Sequence, residues 1–369
     1  NAMTARELAL GRGGDQAVIK NNEKITFFGG NTRELEKRTR VRARVIAQAL
    51  RELIFESSNI FIMGHKNPDM DSLGASIGLW SSIRQLGKNC NIIIDNDITA
   101  IDYYMTKLKK DDKYDNLFIS SEEAEKNIND KTLLIIVDVH NKGYVNNLDI
   151  VERINRKIII DHHRRSPDII EGALLNYIEV YASSTSEMVT ELIQYMLQKP
   201  RIPKIVAEGL LGGIFMDTKG FQFKSGVRTF DAAAFLRSLG ADTIEVKKMF
   251  TDSLDDYLLI SDTIRNAEVH ENLAIAVCPS GVNNTVIVAR AADELLGISG
   301  IDVCFVLCNI NDSIIISGRS TGEVNVQVIL EELGGGGHMN MAGAKLECTI
   351  DEAVNLLKEA INKHLEIKE

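Results

Sequence analysis

The sequence predicts an α/β protein of two domains, in which a parallel sheet flanked by helices precedes a smaller α/β domain. Three observations support this prediction. The chain has 369 residues, and a domain usually contains about 100–200. Short apolar strands alternate with helix-like segments from residue 59 onward, which is typical of βαβ units. Hydrophobic residues make up 44% of the chain and charged residues 25%, a composition that can form full cores.

The first predicted domain covers residues 41–250 and begins with a helix. Apolar residues recur at helical spacing from Val41 to Ile54, after a basic segment at residues 33–44. Four apolar segments predict strands, at residues 60–63, 92–94, 133–137 and 158–160. Further helices are predicted at residues 179–197, 205–216, 229–239 and 244–250. Strands that alternate with helices in this way form a parallel sheet.

A polar, helix-compatible connector at residues 251–265 leads to the second predicted domain, residues 266–369. Its predicted strands lie at residues 273–278, 285–289, 302–309 and 313–319. Residues 1–40 are too short for a domain, and their glycines suit a turn. Asn1-Ala2-Met3 resembles the scar of an expression tag, so we expect the natural protein to extend upstream.

Charge, cysteine content and hydropathy exclude several classes of protein. The 42 Lys and Arg residues against 52 Asp and Glu give a formal net charge of −10, which repels long nucleic acids. The five cysteines form no CxxC pair, so neither a disulfide framework nor a zinc knuckle is indicated, and we expect a cytoplasmic chain. No apolar run approaches the ~18 residues of a membrane helix, so we expect no membrane contact from this chain.

Side chains that bind metal ions follow three of the predicted strands and one predicted helix. The carboxyl ends of parallel strands meet at one edge of a sheet, where such side chains come together. The spacing of Asp69 and Asp71 can direct one carboxylate to each of two neighbouring ions, and an imidazole adds a nitrogen donor. The glycines of residues 209–217 permit close packing beside this cluster. The predicted metal ligands are His65, Asp69, Asp71, Asp138, His162 and Asp217.

Each of these residues has a simpler interpretation on its own. An Asp after a buried strand is often the N-cap of the next helix, and a single His is usually structural. Their joint occurrence favours the metal site. His163 either approaches the substrate as a catalytic group or forms a hydrogen bond that orients a ligand, and the pattern leaves both open. His140, His270 and His364 match no such pattern, and we expect them to be surface or structural residues.

A second candidate site lies near the end of the chain. The glycine run at residues 334–337 offers backbone N–H groups without side chains, followed by His338, at what resembles a helix start. Such a segment suits an anion, and a flexible loop is the alternative. Upstream, Arg319 stands at the end of a predicted strand, where its guanidinium either holds a phosphate through two hydrogen bonds or covers the surface.

These motifs resemble the DHH phosphoesterase superfamily, in which a DHH domain precedes a DHHA1 domain. Its name-giving triplet corresponds to residues 161–163, its first motif to His65-x-x-x-Asp69-x-Asp71, and the GGGH motif of DHHA1 to residues 335–338. The resemblance implies hydrolysis of a phosphoester by a water activated between two Mn²⁺ ions. The ligands it implies are His65, Asp69 and Asp138 for one ion, and Asp71, Asp138, His162 and Asp217 for the other, with Asp138 bridging. The substrate contacts it implies are Ser317, Arg319, Gly335, Gly336, Gly337 and His338, with His163, Arg319 and His338 as catalytic groups.

Other segments of the sequence make the resemblance more specific within the superfamily. Residues 12–16 resemble the end of a degenerate GGDEF domain, and residues 161–166 and 181–187 follow the same family pattern. This arrangement is similar to that of GdpP-type cyclic-di-AMP phosphodiesterases, which carry membrane helices and a PAS domain upstream. The resemblance implies hydrolysis of cyclic di-AMP to linear 5′-pApA in second-messenger turnover, with the parent protein anchored in the cell membrane.

Two other functions stay open at this point. An oligoribonuclease and pAp phosphatase, or a RecJ-like single-strand exonuclease, would use the same metal ligands. A nucleotide-sensing module that has lost catalysis would keep the fold, although all six metal positions are filled here. The preference for adenine rests on the resemblance alone. Dimers occur among relatives, so a homodimer is an assembly to be tested.

Overall fold

The computed structural model describes residues 16–21, 24–29, 40–95, 101–164, 168–251 and 253–364. The chain divides after Phe250 into two compact units. Strands β1 (Gln16–Asn21) and β2 (Lys24–Gly29) form a two-stranded antiparallel sheet. Residues 12–15, on which the resemblance to a GGDEF domain depends, lie outside the described residues. Within the described part of the chain, no helix combines the length and the apolar character that a membrane crossing requires.

The first unit is built on a six-stranded parallel sheet with the strand order β5-β4-β3-β6-β7-β8. All six residues of β6 are buried, as expected for a parallel sheet that is covered on both faces. The sequence did not predict β5 or β8, since β5 has only two residues and β8 mixes polar and apolar side chains. The strands are β3 (Asn59–Met63), β4 (Cys90–Ile93), β5 (Phe118–Ile119), β6 (Thr132–Val137), β7 (Arg156–Asp161) and β8 (Leu175–Ile178).

Helices cover both faces of this sheet and pack closely on one another. Helix α2 meets α7 through glycines, and a Cβ atom on Gly74 would lie 2.4 Å from the carbonyl oxygen of Gly209. The helix predicted from residue 179 begins only at Thr185, because Ser184 is extended and its hydroxyl accepts a hydrogen bond from the Glu187 amide. The helices are α1 (Arg40–Glu56), α2 (Met70–Gln85), α3 (Asp102–Leu108), α4 (Ser121–Glu125), α5 (Leu148–Arg153), α6 (Thr185–Met196), α7 (Lys204–Asp217), α8 (Val227–Ser238) and α9 (Thr243–Lys248).

The second unit contains a mixed sheet with the strand order β13-β14-β12-β11-β10-β9. Strands β10 and β11 are parallel, and the other neighbours are antiparallel. The strands are β9 (Glu268–His270), β10 (Leu273–Val277), β11 (Val303–Ile310), β12 (Ser313–Ser320), β13 (Gly336–His338) and β14 (Met341–Leu346). The helices are α10 (Leu254–Arg265), α11 (Thr285–Leu296), α12 (Val326–Glu332) and α13 (Ile350–His364).

One predicted strand of this unit is wrong. Residues 285–289 form the first part of helix α11, not a strand. Their β-branched, apolar composition resembles a strand when the segment is considered alone. The apolar positions continue at helical spacing, however, and Ile287, Ala291 and Leu295 are buried on one face of the helix. The longer periodicity therefore decides the structure.

Candidate metal centre

The site lies where three neighbouring strands of the first unit end. Strands β3, β6 and β7 are adjacent and parallel, so the segments that follow them meet at one edge of the sheet. His65 follows β3, Asp138 follows β6 and His162 follows β7. Three groups of side chains could each hold a metal ion there, since the potential ligand atoms within a group lie within 4.8 Å of one another. The groups are His65, Asp69 and Asp138; Asp71, His162 and Asp217; and Asp138, His162 and His163.

Asp138 is shared between two histidines. Its Oδ2 atom lies 3.4 Å from His65 Nε2, and its Oδ1 atom lies 3.5 Å from His162 Nε2. Around His65, Asp69 Oδ1 is 3.5 Å from the same nitrogen. Around His162, Nε2 is 3.0 Å from Asp217 Oδ2 and 3.8 Å from Asp71 Oδ2. The structure thus brings together all six side chains that the sequence predicts as metal ligands.

The backbone at Asp138 turns sharply as β6 ends. Its φ is +60°, a left-handed conformation that Asp adopts more readily than most residues. The Asp138 amide still donates to the carbonyl of Ile160 on β7, at 2.9 Å. The hydroxyl of Thr185 donates to Asp138 Oδ1 at 3.0 Å. The carboxylate is therefore held from its own backbone and from helix α6.

The amino end of helix α6 also holds Asp71. The amide of Thr185 donates to Asp71 Oδ2 at 2.7 Å, and the amide of Ser186 donates to Oδ1 at 2.8 Å. These are amides of the first helical turn, which have no partner inside the helix and carry its positive dipole end. This role of Thr185 and Ser186 is not among the predictions from the sequence. The Ser-Ser-Thr-Ser run before an apolar helix was the signal, since it is typical of a helix start.

Helix α7 reaches the site because it contains glycine at the point of closest approach. A Cβ atom on Gly213 would lie 2.2 Å from Ser186 Oγ and 2.8 Å from the Cα atom of Asp71. No side chain fits in that space. One turn later the same helix ends at Asp217, beside His162. The close contact of α7 with α2 and α6 therefore places this carboxylate.

The carboxylates of the site repel one another unless cations lie between them. Burial raises the pKa of Asp71, and the neighbouring Asp138 and Asp217 carboxylates raise it further. Burial also raises the pKa of Asp217. Burial disfavours a charged His65, but Asp138 and Asp69 outweigh it and raise its pKa to about 10. Carboxylates crowded in this way attract divalent cations, which relieve the repulsion between them.

His162 gives an independent test of whether the site fits a metal ion. Both of its ring nitrogens are buried and form no hydrogen bond with the described residues. Asp217 Oδ2 lies close to Nε2, but not in the direction of a hydrogen bond. A buried polar atom without a partner is costly, and coordination of a metal ion would satisfy Nε2. Imidazole and carboxylate donors suit divalent transition-metal ions, so the residues fit such an ion.

Asp161 of the DHH triplet lies behind these ligands and holds His163. It is fully buried, and its Oδ1 atom accepts hydrogen bonds from the His163 amide at 3.1 Å and from His163 Nδ1 at 2.8 Å. Its Oδ2 atom bonds to His140 Nδ1. His140, for which the sequence left a surface or a structural position open, is buried and bound to Asp161. Its connection to the site through Asp161 is not among the predictions from the sequence.

The residues of the second candidate site lie in the second unit. Arg319 is part of strand β12, and its Nε atom donates to Asp293 Oδ1 of helix α11 at 2.6 Å. Its Nη1 atom donates to Ser317 Oγ at 2.9 Å. The guanidinium therefore has a carboxylate partner within its own unit. The assignment of Ser317 and Arg319 as substrate contacts stays a prediction.

The glycine run forms a strand, and the predicted helix start is wrong. Residues Gly336–His338 form the edge strand β13, which pairs with β14. A Cβ atom on Gly335 would lie 2.2 Å from the carbonyl oxygen of Gly343, and Gly337 has a φ of +151°. Gly335 and Gly337 are thus required by the close packing and backbone conformation of a hairpin. The contacts predicted between substrate and Gly335, Gly336, Gly337 and His338 stay predictions.

Comparison with known families gives two matches along the chain. The family described as "DHH family, N-terminal domain" matches residues 59–214. The family described as "DHHA1 domain" matches residues 270–365. The first match contains all the predicted metal ligands except Asp217, and the second contains the glycine hairpin.

Individual proteins are similar to this chain over nearly its whole length. A cyclic-di-AMP phosphodiesterase GdpP of Bacillus subtilis is 44% identical over 99% of this chain and 57% of that protein. A cyclic-di-AMP phosphodiesterase PdeA of Listeria monocytogenes is 42% identical over 98% of this chain and 56% of that protein. The chain thus spans little more than half the length of these relatives. An exopolyphosphatase-related protein from Bacteroides fragilis has a similar fold, with a TM-score of 0.75, 24% identity, and coverage of 87% of this chain and 96% of that one.

Proposed function

The chain belongs to the DHH family, with a DHHA1 domain after its DHH domain, and from this premise we propose that it is a metal-dependent phosphodiesterase that hydrolyses cyclic di-AMP to linear 5′-pApA. The observation that carries the proposal is the position of Asp138, whose two carboxylate oxygens face His65 and His162. The choice of substrate is supported by relatives at 42–44% identity that are named for this activity.

The proposed cofactor is a pair of Mn²⁺ ions. His65, Asp69 and Asp138 would hold one ion, and Asp71, Asp138, His162 and Asp217 would hold the other. Two divalent cations in such a site lower the pKa of water and offset the charge that develops on the phosphate oxygens. The ligand groups support this assignment, since each contains an imidazole and at least two carboxylates within reach of one another.

In the proposed reaction, the oxygen of water forms a new bond to phosphorus, the P–O3′ bond breaks, and the 3′-oxygen leaves with a proton. The residues of the chain orient the groups that take part in the reaction. Asp161 holds the ring of His163 through Nδ1, which leaves Nε2 to meet the phosphate. The amides at the start of α6 fix Asp71. Arg319, Ser317, residues 335–337 and His338 would bind the phosphate groups of the dinucleotide.

A panel of substrates assayed with Mn²⁺ tests this proposal. The panel contains cyclic di-AMP, cyclic di-GMP, pApA, pAp and single-stranded DNA, compared by kcat/KM. We expect cyclic di-AMP to have the highest value. A higher value for pAp or pApA would instead identify an oligoribonuclease and pAp phosphatase. Binding of cyclic di-AMP without turnover of any substrate would identify a sensing module and reject the proposal.

A further inference from the structure

A cavity of about 830 Å³ lies at the amino ends of the strands in the first unit. Its lining includes Asn59, the first residue of β3, and Asn91, the second residue of β4. Five of the six predicted metal ligands, in contrast, follow the carboxyl ends of β3, β6 and β7, and Asp217 lies beside them. A strand of five residues separates the two edges of a sheet by roughly 16 Å. The cavity is therefore separate from the metal centre.

Asparagine amides form much of the polar lining, and the backbone fixes their orientation. Asn59 Nδ2 donates to the Asn127 carbonyl at 3.1 Å, and Asn91 Nδ2 donates to the Asn116 carbonyl at 2.8 Å. Asn127 Nδ2 donates in turn to the Glu123 carbonyl at 2.9 Å. In each of these three amides the NH₂ group is used, and the Oδ1 atom accepts no hydrogen bond from the described residues. Three residues of the lining therefore have an Oδ1 atom available as an acceptor for a ligand that carries amino or hydroxyl groups.

An aromatic ring lies in the same lining. Trp80 is the one tryptophan of the sequence. Its Nε1 atom donates to the Cys90 carbonyl at 3.1 Å, and its ring centroid lies 5.8 Å from that of Tyr114. These contacts hold the indole in one position. A fixed indole is a surface on which a planar ring stacks.

The charged side chains of the lining are mostly cationic. Arg84, Lys113 and Lys126 outnumber the single carboxylate of Glu123, in a chain whose net charge is −10. The two lysines pair with neighbouring exposed carboxylates. Arg84 forms no ion pair within the described part of the chain, and its Nη1 atom donates to Asn89 Oδ1 at 2.7 Å. Its charge is therefore free to attract an anion.

We propose that this cavity binds a nucleotide. A nucleotide combines a planar base that stacks on Trp80, amino and hydroxyl groups that donate to the asparagine Oδ1 atoms, and a phosphate that pairs with Arg84. The cavity volume falls within the range of about 300–1,000 Å³ that is usual for small-molecule sites. The site is additional to the proposed substrate site and is connected to it by helix α2, which carries Asp71 in its first turn and Arg84 in its last.

The fluorescence of Trp80 tests the proposal, because no other tryptophan contributes to it. The chain, freed of metal with EDTA so that nothing is hydrolysed, is titrated with AMP, GMP and ATP, and with adenosine and inorganic phosphate as partial ligands. We expect a saturable change with a nucleotide and a weaker response to either part alone. The Arg84→Ala variant should weaken half-saturation by about tenfold, the effect of losing one charged hydrogen bond. Arg153→Ala removes an exposed arginine on α5 and should titrate like the unchanged chain.

Three results would overturn the proposal. They are no fluorescence change with any nucleotide, equal titrations for Arg84→Ala and Arg153→Ala, and a response to phosphate alone that matches the response to nucleotides. The Asp138→Ala variant separates this cavity from the metal centre, because its Trp80 titration should be unchanged. A lost titration in that variant would mean that the nucleotide acts from the metal centre, which also rejects the second site.

Discussion

The two predicted sites differ in what determines their structure. In the first unit, side chains form the site, and helix α6 fixes two of them: Asp71 by two amides, and Asp138 by the hydroxyl of Thr185. In the second unit, the predicted contacts combine the side chains of Ser317, Arg319 and His338 with backbone groups of the glycine run, and the guanidinium of Arg319 already pairs with Asp293. A side-chain site depends on residue identity, which a sequence states directly. A backbone site depends on conformation, which a run of glycines leaves open.

The strongest test of this contrast is Asp138→Ala. We expect turnover to fall by at least about 10³-fold, since a shared metal ligand supports several kcal/mol of charge stabilisation in the transition state. The fold should persist, because the sheet and its neighbours are unaffected. Initial rates with Mn²⁺ measure the first effect and thermal melting the second. Asp149→Ala, at an exposed position of α5, serves as the control. Near-normal turnover in a folded Asp138→Ala variant would contradict the shared-ligand role.

The Gly213→Ala substitution tests whether the metal centre depends on close helix packing. The added methyl group would meet Ser186 Oγ at 2.2 Å and the Asp71 Cα at 2.8 Å. We expect a loss of about 1–3 kcal/mol in unfolding free energy from overpacking, and about 10²-fold lower turnover from a displaced Asp71. Gly336→Ala is the matched control for stability, because nothing lies within 4 Å of its Cβ position. Equal melting temperatures for the two variants would refute the packing argument.

The metal-centre residues could be predicted because the strands that precede them follow from local patterns. Apolar runs identify β3, β6 and β7, and parallel strands bring the residues that follow them to one edge. His65, Asp138 and His162 therefore meet in the structure although they are far apart in the chain.

Other features depend on tertiary contacts that no short sequence pattern contains. Strand β5 has two residues, and it exists as a strand because it pairs with β4. His140 bonds to Asp161 only because β6 and β7 are adjacent. The segment of residues 285–289 was assigned as a strand, since its β-branched residues outweighed a helical period that is visible only over twelve residues. The glycine hairpin was interpreted as a helix start for a similar reason, because its partner β14 follows later in the chain.

The His140→Ala substitution tests whether a residue that is not a predicted metal ligand contributes to activity by positioning its neighbours. It removes the nitrogen that bonds to Asp161 Oδ2, and Asp161 holds His163. Loss of a residue that positions a catalytic group costs about 10–100-fold in activity, and we expect about tenfold in kcat with little change in KM. His270→Ala is the control, since His270 is exposed on β9. Activity of His140→Ala equal to that control would show that Asp161 alone positions His163.

The smallest effect is expected from Gly336→Ala in the second unit, where the glycines of the predicted site can contribute only backbone groups. Gly336 is exposed, its Cβ position is open, and its φ is not positive, so the fold should tolerate alanine with an unchanged melting temperature. If the hairpin meets the phosphate groups of the substrate, the new methyl group lies in their path. A loss of about 1 kcal/mol in the free energy of substrate binding then raises KM about fivefold while kcat changes little.

The control for this prediction is Glu347→Ala. Glu347 is exposed just after β14, and its variant should keep the KM of the unchanged chain. Identical KM values for the two variants would remove Gly336 from the substrate site and leave the glycines with the packing role that Gly335 and Gly337 already have.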